Sequence, residues 1–147
     1  MNIQKFTQKS LEAVNGCEKL AYEFGNQEVG QEHLLYSLLT IDDSLILKLI
    51  EKMEINKEHF LDRSKAAIEK KTKVSGGQIY MSKALNEVLL MAEDEAKAMG
   101  DEYVSVEHLF LSLLKHPNAE IKKLFAEYGL TRERFCRLCP QYVATSV

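Results

Sequence analysis

The chain has 147 residues, 46% hydrophobic and 28% charged, with a net charge of −3 at neutral pH. This composition supports a folded core rather than a disordered chain, and no apolar run approaches the roughly 18–20 residues needed to cross a bilayer. The densest basic run, Lys70-Lys71-Thr72-Lys73, is short and falls in a connecting segment, so neither nucleic acid nor a membrane surface is an expected partner. The opening residues, Met1 to Phe6, contain no signal-type apolar stretch, and a cytoplasmic location is expected.

In chain order, Phe6 precedes Leu11, Val14, Cys17, Leu20, Ala21 and Phe24, which recur at three- and four-residue steps and predict an amphipathic helix. Thr7 is placed to cap it and Gly25 to end it. A short helix opens at Gly30 and ends near Leu39. A third runs from about Ser44 to Met53, and a fourth starts at the N-cap Asn56. Val74-Ser75-Gly76-Gly77-Gln78 is the flexible connector. The same series then returns. Ser82 and Gly100 bound a long helix, Ser105 opens a short one ending near Leu114, Asn118 to Tyr128 forms the next, and Thr131 caps the last.

The two series are copies. Residues 25–39 and 100–114 are identical at eight of fifteen positions at a constant offset of 75, where composition alone gives about one. The offset continues without a gap from Thr7/Ser82 to Phe60/Phe135. The predicted fold is therefore all-α: an eight-helix bundle of two pseudo-twofold four-helix repeats, with no sheet. Half of the chain makes a poor core by itself, so one domain is expected over residues 1–147. Its parts are repeat 1 at about 1–71, a linker at about 72–79, repeat 2 at about 80–138 and an irregular tail at 139–147, because Pro140 should stop the last helix.

Catalytic signatures are absent from the sequence. No G-x-x-x-x-G-K-[ST], G-x-G-x-x-G or G-x-S-x-G occurs. Glu32-His33 and Glu107-His108 pair an acid with a base, but neighbours on a helix point about 100° apart and cannot readily converge on one atom. Each Glu sits in a first helical turn, which favours a carboxylate. Helix-start structure is the leading reading of these pairs, and a ligand-facing Glu is the second. Cys136-Arg137-Leu138-Cys139 is a lone C-x-x-C without the further ligands of a tetrahedral site, so no metal is expected.

Phe6-Thr7 before a long amphipathic helix, then Gly25-Asn26-x-x-Val29-x-x-Glu32-His33-Leu34-Leu35 and its copy Gly100-Asp101-x-x-Val104-x-x-Glu107-His108-Leu109-Phe110, resemble the N-terminal (Clp N, or Clp repeat) domain of the Clp/Hsp100 AAA+ chaperones. The likeness covers residues 1 to about 135 and is closer to the ClpB-type disaggregases than to the ClpC-type protease partners. It implies a double Clp N motif: a non-catalytic module that engages unfolded or aggregated proteins, or adaptors, for a hexameric ring. No cofactor is implied in this chain, since ATP would be used by the ring's ATPase modules. Thr7, Asp101 and Glu107 match positions tied to substrate handling. The positions of Glu32 and Glu107 match those that bind phosphorylated arginine in ClpC-type relatives. Hydroxyls and helix-start N–H groups suit a phosphate and a carboxylate suits a guanidinium, so Thr7 with Glu32 and Ser82 with Glu107 are the expected sets. Phe6, Tyr80 and Met81 are the expected lining of a shallow groove for apolar peptide. The alternative is a free-standing adaptor or regulatory protein of a Clp protease system.

Overall fold

The computed structural model describes residues 2–145. After a 3-10 turn at Ile3–Lys5, the helices are α1 (Gln8–Glu23), α2 (Gln31–Thr40), α3 (Leu45–Lys52), α4 (Lys57–Glu69), α5 (Lys83–Ala98), α6 (Val106–Lys115), α7 (Ala119–Glu127) and α8 (Arg132–Thr145). The all-α bundle of eight helices expected from the periodicity is the observed one. The caps are those that the sequence marks. Thr7 Oγ accepts Ser10 N–H at 3.2 Å, and its counterpart Ser82 accepts Leu85 N–H at 3.0 Å. Ser44, Asn56, Asn118 and Thr131 do the same for the four shorter starts, each satisfying a backbone donor that the first helical turn leaves over. Gly25 and Gly100 follow α1 and α5 with φ of 73° and 72°, a left-handed conformation that costs a residue with Cβ about 1 kcal/mol or more.

Two expectations need correction. The first is the absence of sheet. A parallel pair, β1 (Glu28–Val29) and β2 (Tyr80–Met81), joins the repeats, and an isolated bridge links Phe6 with Val104. These are one contact seen twice, because Phe6 corresponds to Met81 and Val29 to Val104 under the 75-residue offset. Thr7 N–H donates to Val104 C=O at 2.9 Å, and Ser82 N–H donates to Val29 C=O at 2.8 Å. The segment before the long helix of each repeat thus pairs with the segment before the short helix of the other. Two residues per strand are too few to leave an alternating pattern in the sequence.

The second correction concerns the tail. α8 continues through Pro140 to Thr145 instead of stopping. A proline removes one backbone donor and crowds the preceding turn, a local penalty that does not cancel the bonds of the turns on either side. The expectation for residues 146–147 lies outside the described residues.

The core is shared. Leu34, Leu35 and Leu38 of α2 and Leu109, Phe110 and Leu113 of α6 are fully buried in a single apolar cluster fed by both repeats. Phe110 packs against Phe135 with ring centroids 4.8 Å apart. Gln31, buried at the head of α2, clamps the halves. Its amide donates to Ala84 C=O at 3.1 Å and His116 C=O at 2.8 Å, and accepts Asn118 N–H at 2.7 Å. The connector is pinned too: Val74 N–H donates to Gly25 C=O, and Asn26 donates to Thr72 C=O.

Candidate functional site

The two Glu-His pairs are resolved by their hydrogen bonds. His33 Nδ1 accepts the N–H of Gly30, the N-cap of α2, at 2.9 Å, and its Nε2 lies 2.9 Å from Asn26 Oδ1. The backbone donor fixes the proton on Nε2, so the ring donates to Asn26. Burial, with Lys71 nearby, lowers the His33 pKa from 6.5 to about 4, and the ring is neutral at neutral pH. His108 repeats the arrangement, with Nδ1 accepting Ser105 N–H at 2.9 Å and Nε2 2.8 Å from Asp101 Oδ2. Both rings therefore hold a helix start to the loop before it, and in this arrangement neither offers a free nitrogen.

The two glutamates differ. The Glu32 side chain is 7% exposed, and Lys71 Nζ lies 3.5 Å from its Oε1 while Asn118 Nδ2 donates to Oε2 at 3.2 Å. Lys71 also reaches Glu28 at 3.1 Å. Glu32 thus has partners from within, Lys71 on one carboxylate oxygen and Asn118 on the other. Glu107 is half-buried, and its carboxylate accepts from Ser105 Oγ at 2.9 Å. Asp101, beside it through His108, is exposed.

The expected pairing of hydroxyls with glutamates is also crossed. Thr7 is bonded to Val104, on the segment that leads into Glu107, and Ser10 Oγ donates to the same carbonyl at 2.8 Å. Ser82 is bonded to Val29, on the segment that leads into Glu32. The exchange of strands between repeats causes this, and a reading that keeps each repeat to itself misses it.

Of the three expected groove residues, Phe6 is buried and bridged to Val104, whereas Tyr80 and Met81 pair with Glu28 and Val29. Its counterpart Met81 is 44% exposed and Tyr80 is 53% exposed. With Ile79 and Val29 they face Val14, Asn15, Cys17 and Glu18 of α1 across a concavity of about 240 Å³. A larger groove, about 650 Å³, runs between α1 and α2 past Leu11, Gly16, Leu20 and Ile41. The repeat comparison contains a signal for it: repeat 2 carries Met91 where repeat 1 has Gly16.

Cys139 is buried and its thiol is pushed up to about 12, first by burial and then by the Glu107 carboxylate and Cys136. Cys17, buried in α1, is raised to about 12 by burial. Neither is a ready thiolate. Among the described residues, no helix is long and apolar enough to cross a membrane.

This frame is a known one. Residues 5–128 match the family described as the Clp repeat (R) N-terminal domain. The chain is 40% identical over 140 residues to the chaperone protein ClpB of Nitratidesulfovibrio vulgaris and 38% identical over 133 residues to that of Porphyromonas gingivalis. These alignments cover 91% and 90% of this chain but 16% and 15% of those proteins, so the chain spans about one-sixth of their length. Among solved structures, the Hsp104 N-terminal domain of Candida albicans superposes with a TM-score of 0.77 at 22% identity, covering 89% of this chain and 86% of that one. A ClpV N-domain in complex with a VipB peptide superposes with a TM-score of 0.70 at 24% identity, covering 89% and 82%. The matched residues span both repeats, from the segment before α1 through α7, and the named relatives are ClpB chaperones: the chain belongs to the Clp repeat N-terminal domain family of the Hsp100 chaperones.

Proposed function

We propose that this chain is the non-catalytic substrate- and adaptor-binding domain of an ATP-dependent, protein-disaggregating chaperone of the ClpB type. In this reading it works in the cytoplasm, on unfolded or aggregated proteins, as part of a hexameric ring whose other modules use ATP. The observation that carries the reading is the exposure of Tyr80 and Met81 on β2, at the mouth of the concavity beside α1. A pinned backbone presents one amphipathic aromatic and one flexible thioether there, a combination suited to weak contacts with varied apolar sequence. The peptide complex of the ClpV N-domain lends the reading support, as that relative holds a partner's segment. Glu107 and Asp101 add carboxylates for basic client residues, and Glu107 rather than Glu32 is the one available to a phosphorylated arginine's guanidinium.

The test is fluorescence anisotropy with a labelled, chemically unfolded model protein. We expect micromolar affinity and no ATP turnover. Tyr80→Ser with Met81→Ser should weaken binding about tenfold, the loss typical of two exposed anchors, with an unchanged melting temperature. Unaltered affinity in that double variant would remove the reading.

A further inference from the structure

The repeats carry a pair of equivalent grooves whose charges have diverged. In repeat 2, a groove of about 600 Å³ lies between the end of α6, the loop into α7, α7 itself and the start of α8. Leu114, Phe125 and Leu130 give it an apolar floor, and Lys115, Lys122 and Arg132 surround that floor. Its lining holds these three cations against the single acid Glu133. The sister groove of repeat 1, about 500 Å³, holds Asp42, Asp43 and Glu51 against Lys48 and Lys57. Its charges are also paired internally, Lys48 with Asp43 and Lys57 with Glu51.

Under the offset of 75, Thr40 becomes Lys115, Leu47 becomes Lys122, and the acids Asp42, Asp43 and Glu51 become Pro117, Asn118 and Ala126. The sign has reversed and the internal pairing has gone. Lys115 and Lys122 are exposed. Among the described residues, neither lies in a salt bridge. Arg132 spends one terminal nitrogen on the buried carboxylate of Glu95, and its buried Nε finds no acceptor among the described residues. A buried donor without a partner is costly and therefore uncommon.

We propose that this groove docks an acidic amphipathic segment of a partner protein, with an apolar side chain over Phe125 and carboxylates against Lys115, Lys122 and Arg132. The charge pattern selects the occupant. An apolar floor flanked by two exposed lysines, and by Arg132 beyond its pair with Glu95, complements a segment in which hydrophobic residues alternate with Glu or Asp. A nucleic acid is disfavoured, because the groove is apolar and the chain as a whole carries −3. The site lies apart from Tyr80 and Met81 and does not depend on the function proposed above.

The probe is a fluorescein-labelled peptide of about twelve residues built from Glu, Leu and one Phe, with a Gln-for-Glu version as control. Anisotropy is read on the full chain. The Glu peptide should bind about tenfold more tightly than the Gln peptide, and Lys115→Glu with Lys122→Glu should abolish that preference, as expected for two or three partly exposed charge contacts. Lys48→Glu with Lys57→Glu in the sister groove, and Tyr80→Ser with Met81→Ser, should leave it intact. Equal binding of the two peptides, no effect of the repeat 2 reversal, or tighter binding of a labelled oligothymidylate would overturn the proposal. Both lysines are exposed, so a melting curve of the double variant matching the parent shows that any loss is at the groove and not in the fold.

Discussion

His33 shows how a residue that invites a catalytic reading is held for structure. Its ring is neutral because burial and Lys71 lower its pKa to about 4, against 6.5 in an unfolded chain. The unfolded chain therefore takes up a proton that the folded chain refuses between those values. The stability this arrangement contributes is complete above about pH 6.5 and is lost as pH falls toward 4, by about 3 kcal/mol. Urea denaturation near pH 7 and near pH 4 should show the loss. His33→Gln, which retains an acceptor for Gly30 N–H but does not titrate, should show a smaller difference between the two conditions. The helix-start role was legible, since a His three residues after Gly30 or Ser105 is placed to reach the N-cap. The occupation of Glu32 was not, because Lys71 lies 39 residues away and Asn118 86.

Among the elements, the helices were readable because their signals are local: apolar residues at three- and four-residue steps, side-chain caps, and glycines where the chain turns left-handed. The repeats also grade one another. Gly129 closes α7 at φ 60°, and its counterpart after α3 is Glu54, held at φ 62°. Ile55 N–H donates to Ile50 C=O at 3.4 Å and Leu130 N–H to Phe125 C=O at 2.9 Å, so both turns make the same closure and the longer bond accompanies the residue with a Cβ. Glu54→Gly should relieve left-handed strain of about 1 kcal/mol, offset in part by the greater freedom of an unfolded glycine. A net gain of about 0.5 kcal/mol is expected, or about 1–2 °C in a calorimetric melting temperature. The β pairs, by contrast, carry no local signal, because two residues cannot express a period.

At the scale of the molecule, the exchange of strands makes the repeats interdependent. Removing residues 76–147 would leave Thr7 N–H without Val104 and Gln31 without all three of its backbone partners. It would also strip α2 of its packing against α5 and α6. Fragments 1–75 and 76–147 should each be largely unfolded by circular dichroism, and mixing them should restore helical signal. A fragment that melts cooperatively as a monomer would contradict this.

By itself, the sequence determined the eight helices, where they begin, the twofold repeat and the family, because periodicity, capping and internal identity are carried by residues within a turn or two of one another or by one fixed offset. Only the tertiary structure decided which hydroxyl meets which glutamate, that Phe6 is buried while Met81 is exposed, and that Lys71 fills the place before Glu32. Those outcomes depend on which repeat each strand joins, and a hydrogen bond between segments almost a hundred residues apart leaves no pattern in either one.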